Sequence, residues 1–157
     1  MTLEHRSMLI TRASSDGRTV EMRAVAYNVL DDYRTVFAPG FGAKALASWK
    51  PTLMWSHQSQ EPVGVTQSHR VAPVGVYLTA RLSDPNAVPR ARQAVAQLAD
   101  GTIRQVSIGF ADAVRREPTN DERSRWPGVD EILVDGTILE CSLLGVQGAV
   151  PGAEILS

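Results

Sequence analysis

The stretch TIRQVSIGFADAV, Thr102 to Val114, sets a serine between two aliphatic residues and follows it with Ile-Gly-Phe. Extended backbone sends successive side chains to opposite faces, so Val106, Ile108 and Phe110 point one way and Gln105, Ser107 and Gly109 the other. The segment therefore reads as a strand with one apolar face, and the hydroxyl lies on the other. Gly109 has no side chain to cover the ground beside Ser107, and a glycine inside a strand often marks close approach of a ligand or another backbone. This pattern fits a serine kept accessible. It equally fits an ordinary strand with a wet face, and the stretch by itself leaves both readings open.

Working outward, most of the chain has the same short period. SMLITRA and RTVEMRAVAY flank the turn SSDG and read as a hairpin, and RTVF is a further short strand. In APGFGAKALASW, Phe41, Ala45, Leu46 and Trp49 recur at helical spacing after Pro39 and Gly40. TLMW is a brief strand opening into the polar turn region SHQSQEP, and VGVTQSHRV with GVYLTARL makes a second hairpin around APVG. The period changes over DPNAVPRARQAVAQLADG, where Asp84 or Asn86 can cap a helix, Val88, Ala91, Val95 and Leu98 form a stripe, and Gly101 stops it. After the polar loop REPTNDERSRWPG, VDEILVDG and TILECSLLGV read as two strands joined by a turn at Asp135-Gly136. Seven or eight strands with two helices predict a mainly β, α+β fold: one domain over residues 1–157, a small closed or nearly closed β-barrel flanked by about two helices.

Composition narrows the function. At 157 residues the chain can bury about 70% of its unfolded surface without staples. Sixteen basic against seventeen acidic residues give a net charge of −1, which argues against a general electrostatic grip on nucleic acid. The one basic-looking run, VRREPTNDERSR, mixes both signs and reads as a solvated loop. A single cysteine, Cys141, excludes an intramolecular disulfide and points to a cytosolic compartment. No apolar run reaches the ~18 residues of a membrane span, and MTLEHRSMLITR lacks the apolar centre of a signal peptide.

A serine that hydrolyses a substrate needs a base, a group that orients the base, and donors for the oxyanion. The chain has three histidines. His5 falls in a terminus expected to fray, and His69 belongs to a strand's solvent face. His57 follows the apolar LMW run where a strand opens into a turn, a place where sites are often assembled. For the orienter, alternation in TILECSLL puts Ile138, Glu140, Ser142 and Leu144 on one face. A carboxylate among aliphatic residues is costly to desolvate unless it is paired, and a histidine would serve. An edge-strand charge that blocks aggregation is the alternative. A zinc site from His57, His69 and Glu140 is disfavoured, because the gap between the histidines matches no compact zinc spacing. Cys141 turns away from Glu140 and reads as a small buried hydrophobe. No glycine-rich phosphate loop is present, and no cofactor or metal is expected.

Taken in order, VFAPGFGAKAL, LMWSHQSQEPVG, DGTIRQVSIGF and ILECSLLGV resemble the tailed-phage prohead proteases, capsid maturation enzymes distantly related to herpesvirus assemblin. The resemblance spans roughly Val20 to Ile155. It implies an assemblin-like barrel and a serine endopeptidase with Ser107 as nucleophile, His57 as base and Glu140 as third member. It further implies cleavage of the major capsid protein and its scaffold segment, and of the protease itself, inside the immature procapsid in the host cytoplasm. Self-association is implied as well; nucleic acid and membrane are not expected partners. One stretch departs from the family: where relatives carry a Pro-Ala-Asn-Pro-like turn after the acidic strand, this chain has GVQGAVPGAEI and keeps Pro151, Gly152 and Ala153. The oxyanion donors belong to that region in the assemblin relatives, and none is assigned. Two other readings remain: an inactive protease-like module associated with the capsid or scaffold, and an unrelated β-barrel binding domain.

Overall fold

The computed structural model describes residues 3–145, with backbone alone at 7–12. Eight strands and three helices follow in the order β1 (Glu4–Ala13), β2 (Thr19–Ala26), β3 (Thr35–Phe37), α1 (Ala43–Leu46), β4 (Thr52–Trp55), β5 (Gln58–Ala72), β6 (Gly75–Leu82), α2 (Pro89–Ala99), β7 (Gln105–Arg116), α3 (Asn120–Arg125) and β8 (Glu131–Leu144). The molecule is mainly β. β8, β4, β5, β6, β2, β1 and β7 are hydrogen-bonded in that sequence, and β7 pairs back onto β8, so the sheet curls strongly around an apolar interior. The short β3 extends this arrangement by lying parallel to the first part of β8, while β4 lies parallel to its last part.

The alternation expected for β7 fills that interior. Val106, Ile108 and Phe110 are fully buried and join Val20, Met22, Leu53, Leu78, Cys141 and Leu143 in one cluster. Phe37, Phe41 and Phe110 stack within it at centroid separations of 4.5 to 5.6 Å. α2 closes one side with Ala91, Ala94 and Leu98. Its N-cap is Val88, with Pro89 opening the helix. Asp84 and Asn86 instead form a preceding turn, in which the Asp84 carboxylate accepts the Asn86 N–H.

Three expectations are corrected. Asp135-Gly136 is not a turn, because β8 runs unbroken and keeps β7 as its partner, Asp135 facing Val114 and Thr137 facing Ala111. A glycine is needed there for a different reason: a Cβ on Gly136 would stand 2.7 Å from the Phe41 ring. The polar loop after β7 contains α3, nucleated by a capping box in which Thr119 and Glu122 satisfy each other's backbone N–H groups. Helical spacing around Phe41 to Trp49 yields a single turn, α1, and Trp49 is exposed.

Gly136→Ala tests the packing. Phe41 is held between Phe37 and Phe110 and cannot give way cheaply. The substitution is expected to destabilise by about 1–3 kcal/mol, typical of overpacking. A melting curve should fall by roughly 5 °C for a chain of this size.

Candidate active site

The face of β7 that turns away from the interior carries the site. Across it, in register, His5 of β1 faces Gly109, Ser7 faces Ser107, and on the other side Ser142 faces Ser107 and Glu140 faces Gly109. Directly opposed residues on one sheet face have Cβ atoms about 5 Å apart, so Ser107 adjoins Ser142. Glu140 reaches this face through an irregularity in pairing: Gly109 opposes Glu140, yet the next residue, Phe110, opposes Ile138. The extra residue, Leu139, shifts the phase of the strand, a known means of re-aiming side chains. Ile138 therefore joins the core with Cys141 and Leu143, while Glu140 and Ser142 face outward. The expected shared face of Ile138 and Glu140 is thereby corrected. So is the edge-strand alternative, since β8 lies between β4 and β7 where Glu140 sits.

Gly109 has its explanation here. A Cβ at this position would stand 2.5 Å from Glu140 Oε1, so the glycine makes room for the carboxylate. The sequence suggested an open approach beside Ser107. The structure instead leaves Ser107 only 2% exposed and fills the space over Gly109 with the acid.

His57 arrives from the opposite side. Ser56 and His57 form a two-residue hairpin turn between Trp55 and Gln58, with φ of 48° and 59°. Both residues are left-handed, as such tight turns require, but neither is the glycine or asparagine that adopts this conformation readily. The strain is held by β8: Ser142 Oγ accepts the His57 N–H at 2.9 Å, and the Leu143 carbonyl accepts the Ser56 N–H at 3.3 Å. The turn aims the imidazole at the acid, with His57 Nδ1 2.5 Å from Glu140 Oε1. Glu140 Oε2 accepts the Ser142 hydroxyl at 2.7 Å. An ionised Glu140 thus keeps the proton on Nδ1 and leaves Nε2 as the basic nitrogen. Among the described residues, no hydrogen bond joins the Ser107 hydroxyl to His57.

Two further residues belong to the site, and no local sequence pattern marks either of them. Ser142, fully buried, links the backbone of the base to the acid. His5, expected to fray, lies in β1 with its ring 3.8 Å from that of His57 and its Nε2 3.7 Å from Glu140 Oε1. Burial, and next the adjacent His57, lower the His5 pKa and favour its neutral form. A strand that continues to Glu4 was the missing signal, and it depends on pairing with β7, some hundred residues away in sequence. His69 is exposed on β5, as expected, and takes no part. Burial pushes the Cys141 thiol pKa far up, which removes it as a nucleophile. The departing stretch from Val146 onward, with Pro151, Gly152 and Ala153, lies outside the described residues. No described helix is long and apolar enough to cross a membrane.

Comparison with known proteins places this chain near phage head proteases. The profile of the Caudovirus prohead serine protease family matches residues 7–155. The structure of the bacteriophage T4 capsid assembly protease, gp21, superposes with a TM-score of 0.64 at 13% identity, covering 94% of this chain and 96% of that one. At that identity the likeness speaks for the fold. No curated protein matches by sequence.

Proposed function

The chain belongs to the Caudovirus prohead serine protease family, and on that premise we propose that it is a serine endopeptidase that cuts the major capsid protein and its scaffold segment inside the immature procapsid. In this reading Ser107 is the nucleophile, His57 the general base and Glu140 the residue that positions it. The observation that carries the proposal is the His57 Nδ1 contact with Glu140 Oε1, made on the sheet face that Ser107 occupies.

Ser107 Oγ attacks the scissile carbonyl carbon as its proton passes to His57 Nε2. The imidazolium is stabilised by Glu140, then donates its proton to the departing amine. Water repeats the sequence on the acyl-enzyme and returns the serine. Catalytic contacts that are long in a free enzyme commonly tighten around substrate, and Ser107 needs such a movement to meet Nε2. The barrel is assemblin-like on this reading, and dimers or larger assemblies form at the high local concentration of the shell. Incubating the protein with the capsid protein and its scaffold segment, then sequencing new termini, tests the proposal: discrete new N-termini are expected, and an intact substrate would overturn it. A second reading, a non-catalytic capsid-associated module, draws on the burial of Ser107. It predicts intact substrate even in assembled shells.

Ser142→Ala separates positioning from chemistry. It removes the acceptor for a strained backbone N–H and the donor to Glu140. A misplacement of about 1 Å at a base lowers turnover by on the order of 10²-fold. The expected result is a lower kcat at nearly constant KM, with a loss of about 1–3 kcal/mol in stability from the unpaired buried groups.

A further inference from the structure

The notable grouping at this site is a pair of imidazoles sharing one carboxylate. His5, His57 and Glu140 each offer a ligand atom, and these atoms lie within 4.8 Å of one another. Glu140 Oε1 is 2.5 Å from His57 Nδ1 and 3.7 Å from His5 Nε2. A tetrahedral zinc with bonds of 2.0–2.1 Å holds its ligands about 3.4 Å apart, so side-chain shifts of roughly 1 Å suffice. His5 Nε2 is buried and has no hydrogen-bond partner among the described residues, and a buried polar atom in that state is costly.

We propose that His5, His57 and Glu140 form a binding site for one zinc-like divalent cation, and that its occupancy shuts the active site. Two nitrogens and one carboxylate oxygen suit zinc, cobalt or nickel and do not suit magnesium or calcium. Ser142 holds Oε2, which leaves Oε1 facing the rings, as a supporting group does around a metal ligand. The His5 and His57 side chains are 38% and 23% exposed, so the cluster lies near the surface. Binding replaces the proton between His57 Nδ1 and Glu140 Oε1 and releases it to solvent. The acid then no longer orients the base, and the imidazole is fixed to the metal. The inhibitory consequence rests on the protease reading; cation binding itself does not.

The test uses the full chain carrying Ser107→Ala, which removes any self-cleavage. Titration with cobalt(II) should develop the visible absorption of a low-coordinate centre, and zinc, but not a large excess of magnesium, should abolish it. His5→Phe keeps an aromatic ring against His57 but removes the nitrogen, and His5→Ala removes both; each should weaken cobalt binding at least tenfold while melting cooperatively. In the chain with Ser107 intact, zinc should stop cleavage and a chelator restore it, with the His5→Phe protein, measured against its own zinc-free rate, at least tenfold less sensitive. Absence of the cobalt spectrum, or equal affinity in the His5 variants, overturns the proposal. If no cleavage occurs under any condition, the protease reading fails, and the spectra still decide the cation site.

Discussion

Ser107→Ala is expected to abolish cleavage of the capsid substrate, by at least about 10⁴-fold, while leaving the melting temperature close to that of the parent chain. The two halves of this result have separate causes. The hydroxyl is the atom that would form the acyl bond, so nothing else in the site replaces it. Alanine retains the Cβ that stands beside Ser142 on β8, so the sheet face keeps its packing there. His57→Ala should silence the enzyme to a similar degree but should also lower stability, because it leaves the buried Glu140 carboxylate with Ser142 as its remaining close donor. Both variants should keep the fold. Cleavage by Ser107→Ala at the parent rate would reject the nucleophile.

The largest expected effect on stability lies beside the site. Arg6 and Asp31 are 4% and 5% exposed, and Arg6 Nε donates to Asp31 Oδ2 at 2.8 Å. Asp31 also accepts the backbone N–H groups of Tyr33 and Thr35 and the Thr35 hydroxyl, which folds the turn between β2 and β3 around it. The guanidinium lies over the Tyr33 ring at 4.1 Å and holds the His5 carbonyl through Nη1 at 2.8 Å. Asp31→Ala would leave the buried guanidinium with Glu4, 3.7 Å from Nη2, as its remaining carboxylate neighbour, and would unpair the turn's N–H groups, a loss of about 3 kcal/mol. For a chain of this length that lowers the melting temperature by on the order of 10 °C. Because Arg6 also anchors the backbone of His5, the ring stack on His57 should loosen with it. A melting curve together with the cobalt titration described above reads both effects. An Asp31→Ala protein melting within a degree or two of the parent would show that the pair contributes little.

The parts of this arrangement that were legible in the sequence are those set by local period. TLMW, RTVF and the alternation of Val106, Ile108 and Phe110 each mark a strand, and each occupies one. The sequence singles out His57 by its place after an apolar strand and Glu140 by the cost of a carboxylate among aliphatic residues, and the fold brings the two side chains to 2.5 Å. The reason for Glu140 was wrong in detail. Strict alternation puts Ile138 beside it, whereas the irregular pairing at Leu139 sends Ile138 to the core and Glu140 to the outer face. That irregularity follows from how β7 and β8 meet, which no local pattern encodes. The glycine at 136 misled for a related reason: its dipeptide has turn chemistry, but the contact with Phe41 requires it within a continuous strand. His5 and Arg6 were hidden because their partners, Glu140 and Asp31, are brought together by tertiary pairing alone.

The central claim is that this sheet face turns an ordinary strand hydroxyl into a nucleophile. Labelling the folded protein with a fluorophosphonate, followed by peptide mapping, addresses it most directly. The account predicts a covalent adduct on Ser107 that disappears in His57→Ala. An unlabelled Ser107 in the folded, assembled protein, or an adduct on Ser142 instead, would contradict it.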